Sequence, residues 1–228
     1  VTPTISLEEN YNLGTTAGDL TTITSNWVTH SGGNPFVGYS TTSLSMADYP
    51  SSNVGGAVEI ALSGSEDVNT SFTPITEGKV YASTLVNFSE VGDNNQGYFF
   101  HFMQEEGSYA YSARVGAMTD GSGGVIFGIG ASSKYLTFGT TSFDLNTTYL
   151  LVASYDISTG TSDLHVLTTA AATEPSTPEA TNTDDSGLEV HRIAIRQGKA
   201  GTATLDGIRV ANTWSAIMSN DELDDETV

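Results

Sequence analysis

Short runs rich in apolar, β-branched and aromatic residues alternate with polar clusters of Gly, Asn, Asp and Ser from Lys79 onward. Such runs are typical of β-strands, and no stretch keeps the apolar i, i+3, i+4 spacing of a core helix. The predicted strands are Val80–Phe88, Tyr98–Gln104, Tyr111–Met118, Val125–Ile129, Tyr149–Tyr155, Asp163–Leu167, Glu189–Arg196 and Thr204–Ala211.

The segments between these strands have the composition of hairpin loops, because Gly, Asn and Asp tolerate positive φ or form Asx-turns. The N-terminal part predicts shorter strands at Ile5–Tyr11, Asn26–His30, Ala57–Leu62 and Asn69–Phe72. Ala170–Gly187 lacks periodicity and is predicted to be a surface loop. About a dozen short strands with regular turns predict an all-β fold, a two-sheet antiparallel β-sandwich of jelly-roll type.

The chain length fits one domain, since all-β folds often run to about 200–250 residues as a single unit. We therefore predict a single β-sandwich module over residues 1–218 of the 228. Five of the ten residues from 219 to 228 are acidic. Such a charge run is typical of a solvated tail or a linker to a neighbouring module of the same parent chain.

The charge balance narrows the classes of partner. The chain has seven Lys and Arg residues and 27 Asp and Glu residues, which gives a formal net charge of −20. Nucleic-acid binding depends on cations that displace counterions, so DNA and RNA are not expected partners. Membrane insertion is not expected either, because no run approaches the roughly 18 apolar residues of a span. The absence of cysteine excludes disulfides and zinc–thiolate sites, and leaves a metal bound through oxygen.

Several segments resemble a module that recurs in large secreted proteins of marine and environmental Bacteroidota. They include Leu7–Tyr11, Asn26–Pro35, Tyr98–Phe102, Ile195–Gln197 and Leu205–Val210, and together the matches span about Leu7 to Trp214. The resemblance implies a concanavalin-like or laminin-G-like β-sandwich. It also implies an extracellular or cell-surface location, which suits the low content of charged residues, and we expect a monomer.

The sequence gives little support for catalysis. Sandwich glycosidases need two carboxylates that flank one bond at about 5–5.5 Å, and no predicted strand carries two acidic residues at i and i+4. A metal-free polysaccharide lyase remains an alternative, since it needs residues that neutralise a uronate and abstract a proton. The residues of suitable type are His101, Tyr111, Arg114, Arg196 and Gln197.

The same residues are candidates for glycan binding without catalysis. A guanidinium group in an acidic β-surface either pairs with Asp or Glu or offers a bidentate fork to a carboxylate or sulfate of a ligand. We rank Arg114 and Arg196 first, with Gln197 beside Arg196. Sugar rings stack on exposed aromatic rings, which adds Tyr109 and other loop tyrosines to His101 and Tyr111. Trp27 and Trp214 are predicted to lie in the core.

Calcium is the predicted cofactor. Asp206 has the same parity as the apolar Ile208 and Val210, which turns its carboxylate toward the sandwich interior, where a cation would offset desolvation. Glu8 and Glu9, on a neighbouring first strand, would complete an oxygen cage. In the alternative, backbone N–H groups at the Gly207 turn hold Asp206.

These patterns predict a non-catalytic carbohydrate-binding or adhesion module of a secreted multimodular protein, with a polysaccharide, in particular an acidic one, as its partner. A structural spacer without a ligand is the alternative from a different class. The polysaccharide lyase is the third.

Overall fold

The computed structural model describes residues 1–105, 108–132, 134, 136–185 and 187–220. Within these ranges the chain forms sixteen strands and two short helices, which confirms the all-β prediction. The strands are β1 (Ile5–Glu9), β2 (Gly18–Asp19), β3 (Val28–Ser31), β4 (Gly38–Ser40), β5 (Ala57–Ile60), β6 (Asp67–Ile75), β7 (Lys79–Val91), β8 (Tyr98–Met103), β9 (Tyr111–Thr119), β10 (Val125–Gly130), β11 (Thr137–Phe138), β12 (Thr148–Asp156), β13 (Thr161–Leu167), β14 (Ala180–Asn182), β15 (Val190–Arg196) and β16 (Gly201–Ala211). The helices are α1 (Leu20–Ile23) and α2 (Trp214–Met218).

The strands form two antiparallel sheets. In the larger sheet the order is β14-β13-β12-β7-β16-β5-β4-β2, and β1 also pairs with β16. In the smaller sheet the order is β11-β10-β9-β8-β15-β6-β3. Strands adjacent in a sheet are often distant in sequence, as in the pairing of β15 with both β6 and β8. This arrangement is the predicted concanavalin-like β-sandwich.

The larger sheet is buried on both faces. Along β12, Leu151 and Tyr155 pack in the core between the sheets, whereas Leu150 and Val152 belong to a second apolar cluster on the opposite face. The segment around Met46 and the helix α2 cover that second face. Burial on both faces explains why β12 is an almost continuous apolar run and does not alternate with polar residues.

The twelve predicted strands are all present, with ends that shift by a few residues. The predicted core positions of Trp27 and Trp214 are confirmed, since both side chains are buried. Four short strands were not predicted, and one of them, β14, lies in the segment interpreted as a loop. Tyr135, one of the loop tyrosines, and residues 221–228 of the predicted tail lie outside the described residues.

The predicted orientation of Asp206 is wrong. Four residues of β16, from Asp206 to Arg209, lie opposite three of β7, from Leu85 to Ser83, so the strand contains a bulge. The bulge is at Gly207, whose φ of 59° suits glycine. It reverses the parity of the strand, and Asp206 therefore points to the second face of the larger sheet, away from the core between the sheets.

Candidate functional site

Aromatic and basic side chains form a cluster on the outer face of the smaller sheet. The guanidinium carbon of Arg114 lies 5.4 Å from the ring centroid of Tyr98 and 5.1 Å from that of Tyr111. The guanidinium carbon of Arg196 lies 4.6 Å from the Tyr98 ring. The ring of His101 packs against both tyrosines, at 5.4 Å from Tyr98 and 4.3 Å from Tyr111. We call these five residues the Tyr–Arg cluster.

Two bulges bring the cluster together. Tyr98 and His101 are three residues apart, as are Tyr111 and Arg114, and in regular strands such pairs would point to opposite faces. The pairing of β8 with β9 shifts register on both sides of Phe100, which restores the two pairs to one face. In β9 the irregular residue is Ala113, a non-glycine residue with a φ of 47°.

The guanidinium groups of the cluster keep unused hydrogen-bond donors. Nε and Nη1 of Arg114, and Nη1 of Arg196, are buried and find no hydrogen-bond partner among the described residues. A buried N–H group of a guanidinium without an acceptor is costly, which an anionic or carbonyl oxygen would offset. These particular donors are covered, but both arginine side chains are partly exposed, so an oxygen-rich ligand could contact the exposed part of each guanidinium group.

Asp67 supplies a negative charge beside the cluster. Its Oδ2 lies 3.7 Å from Nε of Arg196 and accepts a hydrogen bond of 2.6 Å from the hydroxyl of Ser31. Burial raises the pKa of Asp67, although the Ser31 hydroxyl and Arg196 act in the opposite direction. Asp67 thus pairs with Nε of Arg196 and orients the guanidinium group, while Nη1 remains unpaired.

The two histidines near the tyrosines are held neutral. Burial lowers the pKa of His101 well below its ordinary value, and burial together with the charge of Arg192 lowers the pKa of His30 to about 4. Burial raises the pKa of Tyr111 to about 12. At neutral pH these rings carry no charge, so the arginines are the charged groups of the cluster that face a ligand.

Of the six predicted glycan-binding residues, the structure brings together Arg114, Arg196, His101, Tyr111 and Tyr109. Tyr109 is 77% exposed, and its ring centroid lies 6.4 Å from that of Tyr111. Gln197 is the exception, since it is buried and its amide joins two backbone segments. Its Oε1 accepts a hydrogen bond from the Ala61 N–H at 3.1 Å, and its Nε2 donates to the Pro35 carbonyl at 2.8 Å.

The three predicted calcium ligands are engaged elsewhere. Glu8 forms a salt bridge of 3.0 Å with Arg209, and Glu9 accepts a hydrogen bond of 3.1 Å from the indole N–H of Trp27. Asp206 accepts a hydrogen bond of 2.6 Å from the backbone N–H of Leu44. Backbone hydrogen bonds from Leu44 and Gly207 lower the pKa of Asp206 against the effect of burial, while its Oδ1 is buried and has no hydrogen-bond partner among the described residues.

No group of three or more His, Asp or Glu side chains has the arrangement of a metal site within the described ranges. Calcium binding stays a prediction.

The sequence analysis missed Tyr98 and Asp67 as members of the site. Tyr98 begins β8, where it was counted as a strand residue, and Asp67 precedes the predicted start of β6. Asp67 pairs with Arg196 across the sheet, 129 positions away in sequence. The sequence could have predicted that Asp67 lies beside Arg196 only if the pairing of β6 with β15 had been known.

Three solved structures of similar architecture share little sequence with the chain. The T. cruzi calreticulin globular domain is 10% identical at a TM-score of 0.56, over 94% of this chain and 90% of that one. A sialidase is 12% identical at a TM-score of 0.51, over 91% of this chain and 18% of the sialidase chain. A GH54 α-L-arabinofuranosidase is 8% identical at a TM-score of 0.53, over 81% of this chain and 42% of that one. At such identities the likeness shows the fold alone.

No protein-family model and no curated protein sequence matches the chain. In the part of the chain that the structure describes, no helix combines the length and the apolar character needed to cross a membrane. The β-sandwich architecture that the sequence predicted is thus supported by the similar solved structures.

Proposed function

We propose that this domain is a non-catalytic carbohydrate-binding or adhesion module of a secreted multimodular protein, and that it binds an acidic polysaccharide at the Tyr–Arg cluster. The observation that carries the proposal is the pair of guanidinium groups beside Tyr98, both on partly exposed side chains of a strongly acidic protein. The printed names of the sialidase and the arabinofuranosidase are consistent with carbohydrate chemistry on this fold.

The geometry suits a uronate or a sulfated sugar. A carboxylate or sulfate can accept two parallel N–H donors from a guanidinium group, which adds both energy and orientation. The flat faces of Tyr111 and the exposed Tyr109 offer stacking surfaces for the apolar C–H faces of a sugar ring. In a chain with a net charge of −20, two adjacent arginines provide a local reversal of charge that selects an anion.

The protonation states do not favour the lyase alternative. A general base works best with a pKa near the operating pH. Tyr111, with its pKa raised to about 12, remains protonated at neutral pH, and His101, with its lowered pKa, is a weak base. The residues suit binding better than proton abstraction. The spacer alternative would leave the unpaired guanidinium donors without a role.

The proposal is tested by calorimetric titration of the domain with polygalacturonate, a uronate polymer, and with neutral cellulose oligomers as the control ligand. We expect Arg114→Ala and Arg196→Ala each to weaken binding at least about tenfold, since a hydrogen bond to a charged group contributes roughly 1.5–3 kcal/mol. Lys79→Ala is the matched control, because it removes one positive charge from the larger sheet. It should bind like the wild type.

Arginine-to-lysine variants separate charge from geometry. Arg196→Lys retains the charge but lacks the bidentate fork. We therefore expect its affinity for polygalacturonate to lie between that of the wild type and that of Arg196→Ala. Unchanged binding by the Arg114→Ala, Arg196→Ala double variant would overturn the site. Formation of unsaturated uronate products during incubation would favour the lyase instead, and no saturable binding to any anionic polysaccharide would favour the spacer.

A further inference from the structure

We propose that a cleft next to the Tyr–Arg cluster forms a second anionic subsite, which binds a further charged unit of the same polysaccharide chain. This inference rests on the proposed function, because it takes its ligand from the Tyr–Arg cluster. The cleft has a volume of about 760 Å³. It lies where the loops that follow β5, β7 and β15 meet, at one end of the sandwich.

The walls of the cleft are fixed by close contacts between these loops. Gly92 donates a backbone hydrogen bond of 3.0 Å to Ala200, and Gly198 donates one of 3.0 Å to Ala61. A Cβ at Gly92 would lie 2.0 Å from the carbonyl oxygen of Lys199, so a side chain there would push the loops apart. The cleft is therefore a preformed feature, and ligand binding does not need to order it.

Arg196 links the cleft to the Tyr–Arg cluster. It lines the cleft, while its guanidinium group also lies 4.6 Å from the Tyr98 ring of the cluster. Its Nη1 is one of the buried donors that lack a partner in the described residues. A polysaccharide chain that passes over Tyr98 would thus reach the cleft without leaving contact with Arg196.

Three cations of the chain lie along this path. Arg114, Arg196 and Lys199 are three of the seven Lys and Arg residues in the sequence. Lys199 lines the cleft and is exposed, which leaves its ammonium group available to an anion. Together these residues define a basic track on an otherwise acidic protein. Such a track attracts a polymer with repeated negative charges more strongly than one with a single charge.

Two carboxylates in the cleft do not contradict an anionic ligand. Asp67 is already paired with Arg196 and Ser31. Asp93 lines the cleft and is exposed, and it is positioned to accept hydrogen bonds from sugar hydroxyl groups. A ligand with alternating hydroxyl and acidic groups fits this arrangement, whereas a free inorganic anion would meet the repulsion of Asp93 without compensation. The chemistry points to an acidic glycan.

The test is an oligogalacturonate ladder from dimer to octamer, titrated against the wild type and variants by calorimetry, with NMR titration for weak short oligomers. We expect wild-type affinity to increase with length. Lys199→Ala should weaken binding of the long oligomers about five- to tenfold and leave the dimer unchanged. Arg114→Ala should weaken binding at every length. Asp93→Asn, which removes a negative charge from the cleft and keeps a hydrogen-bond acceptor, should strengthen binding of the long oligomers only.

The outcomes distinguish the two proposals. Affinity that depends on Arg114 but not on oligomer length or Lys199 would overturn the second subsite and leave the proposed function standing. Equal weakening by Lys199→Ala at all lengths would also overturn it, since Lys199 would then act through overall charge. Absence of binding to every anionic oligomer would overturn both proposals. Lys79→Ala again controls for the loss of one positive charge.

Discussion

The carboxylate of Asp185 accepts a hydrogen bond from the backbone N–H of Ala113 at 3.0 Å. Its other oxygen accepts one from the hydroxyl of Ser112 at 3.2 Å. Ala113 is the residue with positive φ at the irregularity in β9, which places Tyr111 and Arg114 on one face. A segment interpreted as a surface loop thus supports the backbone geometry that assembles the Tyr–Arg cluster.

Asp185 is therefore predicted to be a positioning residue for the site. We expect Asp185→Ala to lower the free energy of unfolding by about 1–3 kcal/mol and to weaken polygalacturonate binding, because Ala113 loses its acceptor. A double-mutant cycle provides the specific readout. Arg114→Ala should cost less affinity in the Asp185→Ala background than in the wild type. Additive losses would show that Asp185 supports stability only, and Asp184→Ala serves as the neighbouring control.

Asp206 should make stability depend on pH. Burial raises the pKa of Asp206 to about 7, whereas a carboxyl in the unfolded chain titrates near 4. The folded state then binds the proton of Asp206 more tightly than the unfolded state does. The contribution of Asp206 to the free energy of unfolding is therefore most favourable below about pH 4 and is lost as the pH rises through about 7. The free energy of unfolding falls by up to about 4 kcal/mol over this range.

The measurement is the melting temperature between pH 4 and pH 8 for the wild type and Asp206→Asn. The variant cannot ionise, so the difference between the two curves should change across this range, with the wild type losing stability at the alkaline end. Other groups titrate in both proteins and cancel in the difference. Parallel curves would mean that Asp206 keeps an ordinary pKa.

Gln197 lines the cleft beside Arg196, but both ends of its amide already bond to the protein, so it is predicted to stabilise the fold and to make no hydrogen bond to a glycan. Gln197→Leu leaves the Ala61 N–H and the Pro35 carbonyl without their side-chain partner, which should cost about 1–3 kcal/mol. For a domain of this size, the melting temperature should fall by roughly 2–10 °C. Polygalacturonate affinity, measured well below the melting temperature, should change less than twofold. A tenfold loss of affinity in a fully folded variant would return Gln197 to the binding site.

Calcium removal tests the cofactor predicted from the sequence. If calcium binds at Glu8, Glu9 and Asp206, as the sequence predicts, EDTA should lower the melting temperature; if the partners that these residues have within the protein hold them alone, EDTA should leave it unchanged. Calcium at a hundredfold excess over its Kd would stabilise the protein by about 2.7 kcal/mol, which corresponds to a shift of roughly 5–10 °C. A shift of that size that is absent in Asp206→Asn would restore the proposed site at Asp206.

The sequence by itself determined the strands and the sandwich. Alternating patterns such as that of β15 carry the period of a strand, and turn residues mark the ends, so local chemistry was sufficient for these elements. The residue types of the site were also visible, because arginines are rare in this acidic chain and stand out. Arg114 and Arg196 could be selected for that reason.

Only the tertiary structure decided which way the side chains point and which of them meet. The bulges at Ala113 and Gly207 change the parity of their strands, so Arg114 joins Tyr111 while Asp206 parts from Ile208. A one-residue shift in a strand moves a side chain to the other face, and a bulge depends on pairing with a distant strand. That pairing is a long-range property, which the local pattern of residues does not encode.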